Sequence, residues 1–278
     1  MKKAADVLRK TVNAYLAADM PVYAGFATLK ITTAVFPLFM LIIALLNWLP
    51  GYSPRDFTNF LFSMIPDVPE VKALFTNVMS NLRSQSSGLL ASVAALTSLW
   101  SSSAGVSSIQ KGLGKLSPGG GSALKLKLVS VLFTLVLVVL IPALLLFNVL
   151  GDSLISLVRS ATELFGLAAV TDQLVSLIRV TGVITAALSL LILLLIYTFL
   201  PGGRHSLRDQ LPGAALTAVG WALFTWLFST FMPIFWKSSI YGSLASLFLT
   251  LLWLEASINI LFLGGALNAV LSERRTES

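Results

Sequence analysis

The sequence predicts an all-α protein that crosses a membrane several times. Apolar residues make up 56% of the 278 residues, only 11% are charged, and the mean hydropathy is +0.88. A soluble chain of this length needs many more charged side chains to cover its surface. Several apolar runs also reach the roughly 20 residues that a helix needs to cross a bilayer. We therefore expect a single transmembrane domain over residues 1–278, without a separate soluble domain.

Six apolar segments are long enough to be transmembrane helices. The third, LVSVLFTLVLVVLIPALLLFNVL, and the fourth, VITAALSLLILLLIYTFL, contain no charged residue. The second, GLLASVAALTSLWSSSAGVSSIQ, is a weaker candidate because of its serines. Only a few residues separate the fifth and sixth segments, which predicts a tight helical hairpin. The predicted spans lie near residues 22–49, 88–110, 128–150, 180–200, 212–235 and 240–271.

Segments outside these spans carry helical patterns of their own. Residues 1–20 are basic and predict an amphipathic helix that anchors the chain at the cytoplasmic face. In PEVKALFTNVMSNLRS the apolar residues repeat at helical spacing, and residues 152–179 show a similar pattern. Such helices lie flat at the outer interface or cap a cavity between the spans. A plain covering of the loop backbone is the commoner role for either one alone.

The distribution of basic residues predicts the orientation. The N-terminus, the C-terminus and the loops at 111–127 and 201–211 hold 12 of the 19 Lys and Arg, against six in the opposite loops. Because Lys and Arg are retained in the cytoplasm, both termini should be cytoplasmic. The net charge of +7 next to an anionic leaflet needs no nucleic-acid partner.

The residue inventory disfavours several kinds of chemistry. The chain has no cysteine and one histidine, His205, which is expected to be a solvated loop residue, so no metal site is predicted. No phosphate-cradling G-x-x-x-x-G-K-[ST] loop is present, and SPGGGS at 117–122 is better explained as a flexible linker. We expect no catalytic residue, no cofactor and no nucleotide. The sequence does not fix the oligomeric state.

Polar residues inside the spans are the candidates for a substrate path. In the second span Ser98, Ser101 and Ser102 share one helical face near Trp100. Small hydroxylated residues let helices pack closely, which is the structural explanation, whereas the functional one is a polar wall of a path. The first span contributes Lys30 and Pro37, and the sixth contributes Glu255 and Asn259 one turn apart. Polar faces on several helices favour a bundle with a hydrated or substrate-binding interior.

Glu255 needs a partner or a proton if it lies within the membrane. An ionised acid at mid-membrane costs roughly 2.5 to 3.5 kcal/mol on translocon-based scales. Lys30 is the basic residue well inside a predicted span, and its depth from the cytoplasmic side matches that of Glu255. We therefore expect the first and sixth spans to be neighbours and Lys30 to pair with Glu255. The alternatives are a protonated Glu255 bonded to Asn259 or a serine, and a glutamate facing a water-filled cavity.

Several stretches resemble the YihY/BrkB family. In the last third these are Pro212-Gly213-Ala214, Tyr241-Gly242-Ser243-Leu244-Ala245, Leu252-Trp253-Leu254 and Gly265-Ala266-Leu267-Asn268. Upstream they are Phe36-Pro37, Leu99-Trp100-Ser101-Ser102, and Tyr197 with Pro201 and Arg208. Through this resemblance Arg208 and Tyr241 join the substrate-path candidates. The family more often has apolar or aromatic residues at the positions of Lys30 and Glu255.

The resemblance implies a six-span bacterial inner-membrane protein. Members of that family have been labelled ribonuclease BN, a tRNA-processing label now regarded as mistaken, and others have been linked to moving lipids across the inner membrane. The lack of metal ligands in this chain independently disfavours a nuclease. We expect a transporter or flippase for a lipid or other amphipathic substrate. A small-solute or proton-coupled transporter and a structural membrane protein are the alternatives.

Overall fold

The computed structural model describes residues 2–46, 58–59, 62, 65, 67–84, 91–117, 122–140, 181–203, 205–235 and 243–276. The regular structure in these ranges is entirely α-helical, as predicted. Four helices come from the first half of the chain: α1 (Lys2–Ala17), α2 (Met20–Leu46), α3 (Pro69–Ser84) and α4 (Ala91–Leu116). Four more follow: α5 (Ala123–Leu140), α6 (Thr181–Phe199), α7 (Leu207–Phe235) and α8 (Ser243–Thr276).

Four of the described helices are long and apolar enough to cross a bilayer. The apolar portions are Met20–Phe39, Ala123–Leu140, Leu207–Met232 and Ser246–Glu273. The described part of α6 contributes only a shorter apolar segment, Ser189–Phe199. Helix α4 has the length, 26 residues, but its serines and two lysines dilute its apolar character. A membrane protein is therefore confirmed, while the described residues yield four apolar spans by hydropathy, not the predicted six.

Several helices run beyond the predicted spans. Helix α4 ends at Leu116 and not at 110, and α5 begins at Ala123 and not at 128. Helix α7 begins at Leu207 and not at 212, and α8 ends at Thr276 and not at 271. Hydropathy marks where the apolar run stops, but Lys, Arg, Glu and Gln are good helix formers and continue the helix beyond it. The predicted helix at 152–179 and the hairpin turn at 236–242 lie outside the described residues.

Helix α8 is the centre of the described bundle and contacts α1, α2, α3, α4 and α7. Its contact with α2 confirms that the first and sixth predicted spans are neighbours. The main buried apolar cluster includes Leu113 of α4, Leu193 and Tyr197 of α6, and Leu261 and Phe262 of α8. Helix α8 thus contributes to the packing of most of the described bundle.

The amphipathic helices pack against the bundle as side elements. Helix α1 joins α2 through a tight corner at Asp19, whose φ of 53° lies in the left-handed region that Asp tolerates better than most residues. Helix α3, predicted from its apolar spacing, buries Val71 against Phe228 and Leu249 of α7 and α8. The backbone N–H of Asp67, just before α3, donates to Ser229 Oγ at 3.0 Å.

Candidate functional site: a lysine-lined groove

A groove of about 660 Å³ lies between α2, α4 and α5, where α4 ends and α5 begins. Four lysines line it and none of its lining residues is acidic. It is partly open, not an enclosed cavity. We call it the lysine groove, and its lining residues are Phe26, Lys30, Ala104, Ser107, Ser108, Gln110, Lys111, Gly114, Lys115, Ala123, Leu126, Lys127 and Pro201.

The groove arises because three helices turn lysine-bearing faces towards one another. On α4, Ala104, Ser108, Lys111 and Lys115 recur at intervals of three and four residues and so share one face. On α2, Phe26 and Lys30 are one turn apart, and on α5 the first two turns supply Leu126 and Lys127. Lys30 alone was a sequence candidate, since the other three lysines served only as topology signals. The i, i+4 spacing of Lys111 and Lys115 on α4 was the signal that could have revealed this lysine-bearing face.

Aromatic rings hold three of the ammonium groups. Lys30 Nζ lies 5.6 Å and Lys111 Nζ 5.8 Å from the centroid of the Phe26 ring. Lys127 Nζ lies 4.5 Å from the Trp100 ring centroid and donates to Ser103 Oγ at 2.9 Å. Each cation–π contact contributes about 0.5–1 kcal/mol at an exposed site. The lysines are therefore positioned without a neutralising acid.

The described residues supply no carboxylate to these four lysines. The ion pair recorded among them joins Lys72 Nζ to Asp67 Oδ1 at 2.7 Å, beside α3. Glu255 does not line the groove. The groove is consequently a site of concentrated positive charge.

Exposed apolar side chains border the groove. Phe26 and Trp100, the two rings beneath the ammonium groups, are 41% and 65% exposed. Leu29 and Leu128, the sequence neighbours of Lys30 and Lys127, are also exposed. Phe26 in particular both lines the groove and is exposed, so apolar surface adjoins the lysine lining there.

The serine face of α4 mostly serves packing. Ser102 is buried and donates from Oγ to the Ala34 carbonyl of α2 at 3.3 Å. A Cβ on Gly105 would lie 3.2 Å from Ala34 Cβ, so the two backbones approach closely here. Ser101 is exposed, and Ser98 lies on the same helix but its side chain is outside the described residues. Ser102 therefore lies in the α2–α4 contact and not in the groove.

The predicted pair between Lys30 and Glu255 is not found. Lys30 is exposed above the Phe26 ring, whereas a Cβ on Gly25 would lie 3.8 Å from Glu255 Oε1. Gly25 and Lys30 are five residues apart and so point roughly 140° away from each other around α2. The two helices are neighbours as predicted, but the Glu255 carboxylate lies beside Gly25, which is more than one helical turn from Lys30 and on a different face of α2.

Glu255 and Asn259 instead meet α1. The Tyr15 hydroxyl donates to Asn259 Oδ1, and Asn259 Nδ2 donates to the Glu255 backbone carbonyl at 2.9 Å. Burial, and secondly the nearby Glu255 charge, raise the pKa of Tyr15 in α1. Glu255 itself is exposed, and Asn259 bonds its backbone and not its carboxylate. This cluster attaches α1 to α8 and lies apart from the lysine groove.

A second polar region lies between α6, α7 and α8, and its polar side chains are hydrogen-bonded within the protein. The Tyr197 hydroxyl donates to the Leu261 carbonyl and lies 2.6 Å from Thr217 Oγ1. Asn268 Oδ1 accepts the Gly213 N–H at 2.7 Å. A Cβ on Gly264 would lie only 2.7 Å from the Gly213 carbonyl oxygen. We call this region the glycine seam, formed by Tyr197, Gly213, Thr217, Gly264 and Asn268.

The remaining candidates lie away from the groove. Pro37 is half-buried inside α2, and Arg208 is exposed in the first turn of α7. Tyr241 lies outside the described residues. His205 is not fully solvated as expected: its Nε2 is buried without a partner, and burial lowers its pKa. Within the described residues no group of three or more His, Cys, Asp or Glu could hold a metal ion.

Comparison with known proteins identifies relatives of the chain. The profile of the family described as "Virulence factor BrkB" matches residues 11–278. "Putative ribonuclease-like protein YfkH" of Bacillus subtilis (strain 168) is 27% identical over 249 residues, which cover 87% of this chain and 86% of that protein. A UPF0761 membrane protein of Mannheimia succiniciproducens is 36% identical over 85 residues, 29% of each chain. No solved structure matches the chain.

Proposed function

The chain belongs to the BrkB virulence-factor family, and from that premise we propose that it is a transporter or flippase for a lipid or another amphipathic molecule in the bacterial cytoplasmic membrane. One observation carries the proposal: the lysine groove combines a charged lining with a border of exposed apolar side chains. A ligand with a polar head and apolar chains is the kind that satisfies both surfaces.

A path for lipid and a path for a small solute differ in how far they are exposed to the bilayer. A solute path must be sealed from lipid by packed side chains, whereas a lipid path needs a lateral opening between helices. Phe26 and Trp100 lie directly under lysine ammonium groups and yet are substantially exposed. This arrangement supports the lipid path over a small-solute or proton-coupled transporter. A purely structural role is less well supported, because packing accounts for Ser102 but leaves the lysine groove unfilled.

The proposal includes six spans with both termini in the cytoplasm. Helix α4, and α6 with its shorter described apolar segment, would complete the six spans. Much of the polar surface of α4 is covered, since Ser102, Ser103, Ser108 and Gln110 are buried. The end of α4, the start of α5 and Pro201 after α6 meet at the groove, as expected if these connections lie on one side of the membrane.

Cysteine labelling tests this topology in a chain that has no native cysteine. We expect cysteines at Ala73, an exposed position on α3, and at Phe165 to react with an impermeant reagent from outside. Those at Ala4, Pro118, Ser206 and Thr276 should react only from the cytoplasmic side. Labelling of position 118 from outside would contradict the six-span arrangement.

We propose binding and movement of lipid without catalysis. The lining residues of the lysine groove include no acid and no histidine to act as a general base. The word "ribonuclease" in the name of the Bacillus subtilis relative describes that protein. For this chain we propose membrane lipids as partners, without nucleotide or nucleic acid.

Lipid translocation in liposomes is the direct test. The purified protein is reconstituted with phospholipids carrying a fluorescent headgroup, and a membrane-impermeant reductant measures their exchange between leaflets. We expect exchange to be faster than in protein-free liposomes. Gly114→Trp, which fills the groove from a position with open space around it, should abolish the acceleration. Gly114→Ala is the matched control and should retain it. No acceleration and no co-purified lipid would favour the alternative functions.

A further inference from the structure

We propose that the lysine groove binds the phosphate of an anionic lipid headgroup, in preference to a zwitterionic headgroup or a free anion. This inference deepens the proposed function and depends on it for the lipid part of the ligand. It rests on charge, on the positions of the ammonium groups, on the size of the groove and on its apolar border.

The charge of the groove lining predicts the sign of the ligand's net charge. Lys30, Lys111, Lys115 and Lys127 come from three helices and line one groove, and no lining residue is acidic. Like charges held together repel one another and destabilise the folded protein unless a counter-charge is bound. The groove therefore favours a ligand with net negative charge. A zwitterionic headgroup would bring its own cation among these lysines and lose much of the attraction.

The ammonium groups are positioned before any ligand arrives. Lys30 and Lys111 share the ring of Phe26, and Lys127 is held by Trp100 and Ser103. Preorganised donors lose less conformational entropy on binding than freely rotating lysines do. Each ammonium group carries three donors, so several can reach the oxygens of one phosphate.

The start of α5 adds to the positive electrostatic potential of the lysine groove. Ala123, the first residue of the helix, lines the groove, and the first turn of a helix presents unpaired backbone N–H groups and a partial positive charge. Ser122 Oγ, just before the helix, accepts the Lys125 N–H at 3.3 Å. Backbone donors and lysine side chains thus converge on the same space.

Size and surroundings indicate a lipid. About 660 Å³ lies within the range of pockets that hold organic ligands, and it is far larger than a bare phosphate ion needs. Phe26, which lines the groove, and Trp100, which lies under Lys127, are 41% and 65% exposed and offer apolar surface for acyl chains. A free anion would use the lysines and leave this apolar border unexplained.

Thermal stability of the purified full-length protein measures the binding. The protein in a neutral detergent is mixed with short-chain phosphatidylglycerol, short-chain phosphatidylcholine, glycerol phosphate or inorganic phosphate at matched concentrations. We expect phosphatidylglycerol to raise Tm the most. A ligand that binds only the folded state stabilises it by mass action, so the dependence of Tm on concentration yields an apparent Kd.

Substitutions locate the effect. Lys111→Gln with Lys127→Gln should weaken phosphatidylglycerol binding about thirtyfold, since each removes a cation beside an anionic headgroup. Lys111→Arg with Lys127→Arg keeps the charge and should retain most of the affinity. Lys10→Gln, at an exposed position on α1 outside the groove lining, is the matched control and should bind as the unaltered protein does.

Three results would overturn the inference. They are equal stabilisation by phosphatidylcholine, equal stabilisation by inorganic phosphate, and an unchanged phosphatidylglycerol affinity in the double Gln variant. Each is distinguishable from failure of the proposed function. Lipid exchange in liposomes that persists without any anionic preference would leave the flippase proposal standing and sink this one.

Discussion

The glycine seam and the lysine groove are both polar regions among the helices, yet they are built in opposite ways. In the glycine seam, the Tyr197 hydroxyl, the Thr217 hydroxyl and the Asn268 amide are buried and hydrogen-bonded within the protein. In the lysine groove, four lysines share about 660 Å³ of open space with no acidic lining residue. One region satisfies its polar groups internally, whereas the other leaves them available.

This difference separates polarity that holds the fold from polarity that, in our proposal, binds a ligand. Buried polar groups in a membrane protein must find partners within the protein, because hydrocarbon offers none. When they do, as at Gly213 and Asn268, the result is a close helix contact. Like charges held together cost stability, and this cost is the basis of our proposal that the lysine groove binds a counter-charge.

The largest expected effect is a failure of packing in the glycine seam. Gly264→Val should prevent stable folding, because its Cβ would overlap the Thr217 hydroxyl, the Tyr197 hydroxyl and the Gly213 carbonyl. Gly114→Ala is the control in the lysine groove. Nothing lies within 4 Å of its Cβ position, so this change should be neutral or stabilise by about 0.5–1 kcal/mol. Size-exclusion profiles and thermal melts in detergent measure both, and a well-folded Gly264→Val protein would refute the close contact.

A smaller loss is expected from Tyr197→Phe. It removes the donor to the Leu261 carbonyl and the partner of Thr217 without leaving a large cavity. The cost should be about 1 kcal/mol, measured as a lower Tm. Tyr23→Phe is the matched control, since no hydrogen bond of the Tyr23 hydroxyl is recorded among the described residues. Equal effects of the two changes would mean that the seam hydrogen bonds contribute nothing.

Lys30 and Glu255 should behave as independent residues. The effects of the single reversals Lys30→Glu and Glu255→Lys on the free energy of unfolding should be uncoupled, because the structure holds no ion pair between these two side chains. The double swap should show only the sum of the two. If the double variant recovers stability that either single variant loses, the two residues do form an ion pair and the prediction is wrong.

The smallest effect concerns His205. Burial lowers its pKa below the ordinary value of 6.5, so the unfolded chain binds a proton more readily than the folded one. Its contribution to stability is therefore complete above pH 6.5 and is lost as the pH falls through the lowered pKa. His205→Gln should flatten the fall in Tm between pH 7 and lower pH. An unchanged pH profile in this variant would show that the burial of His205 has no energetic consequence.

The fold was largely predictable because long apolar runs in a sequence identify membrane helices. Apolar length identified α2, α5, α7 and α8, and apolar spacing identified α3. Helix α4 was harder, since its buried serines look the same in sequence whether they face another helix or a path. The α2–α8 contact followed from charge and depth, although the charge argument named the wrong residue of α2.

The candidate site was only partly predictable. Lys30 was identified as a candidate. Lys111, Lys115 and Lys127 also line the groove, but the sequence explained them sufficiently as lysines that mark the cytoplasmic side. Sequence spacing places Lys111 and Lys115 on one face of α4. It cannot show that α2 and α5 bring two further lysines to that face, because such contacts depend on how the helices pack.

The central claim is that the lysine groove is open and cationic while the glycine seam is closed. A single cysteine at Gly114 in the groove or at Ala214 beside the seam tests it by reaction with small anionic and cationic thiol reagents of matched size. We predict that Gly114→Cys reacts readily, and faster with the anionic reagent, because the lysines attract it and lower the thiol pKa. Ala214→Cys, at a fully buried position, should stay unmodified in the folded protein. Equal rates for the two reagents at position 114, or modification of position 214 as fast as of position 114, would contradict the account.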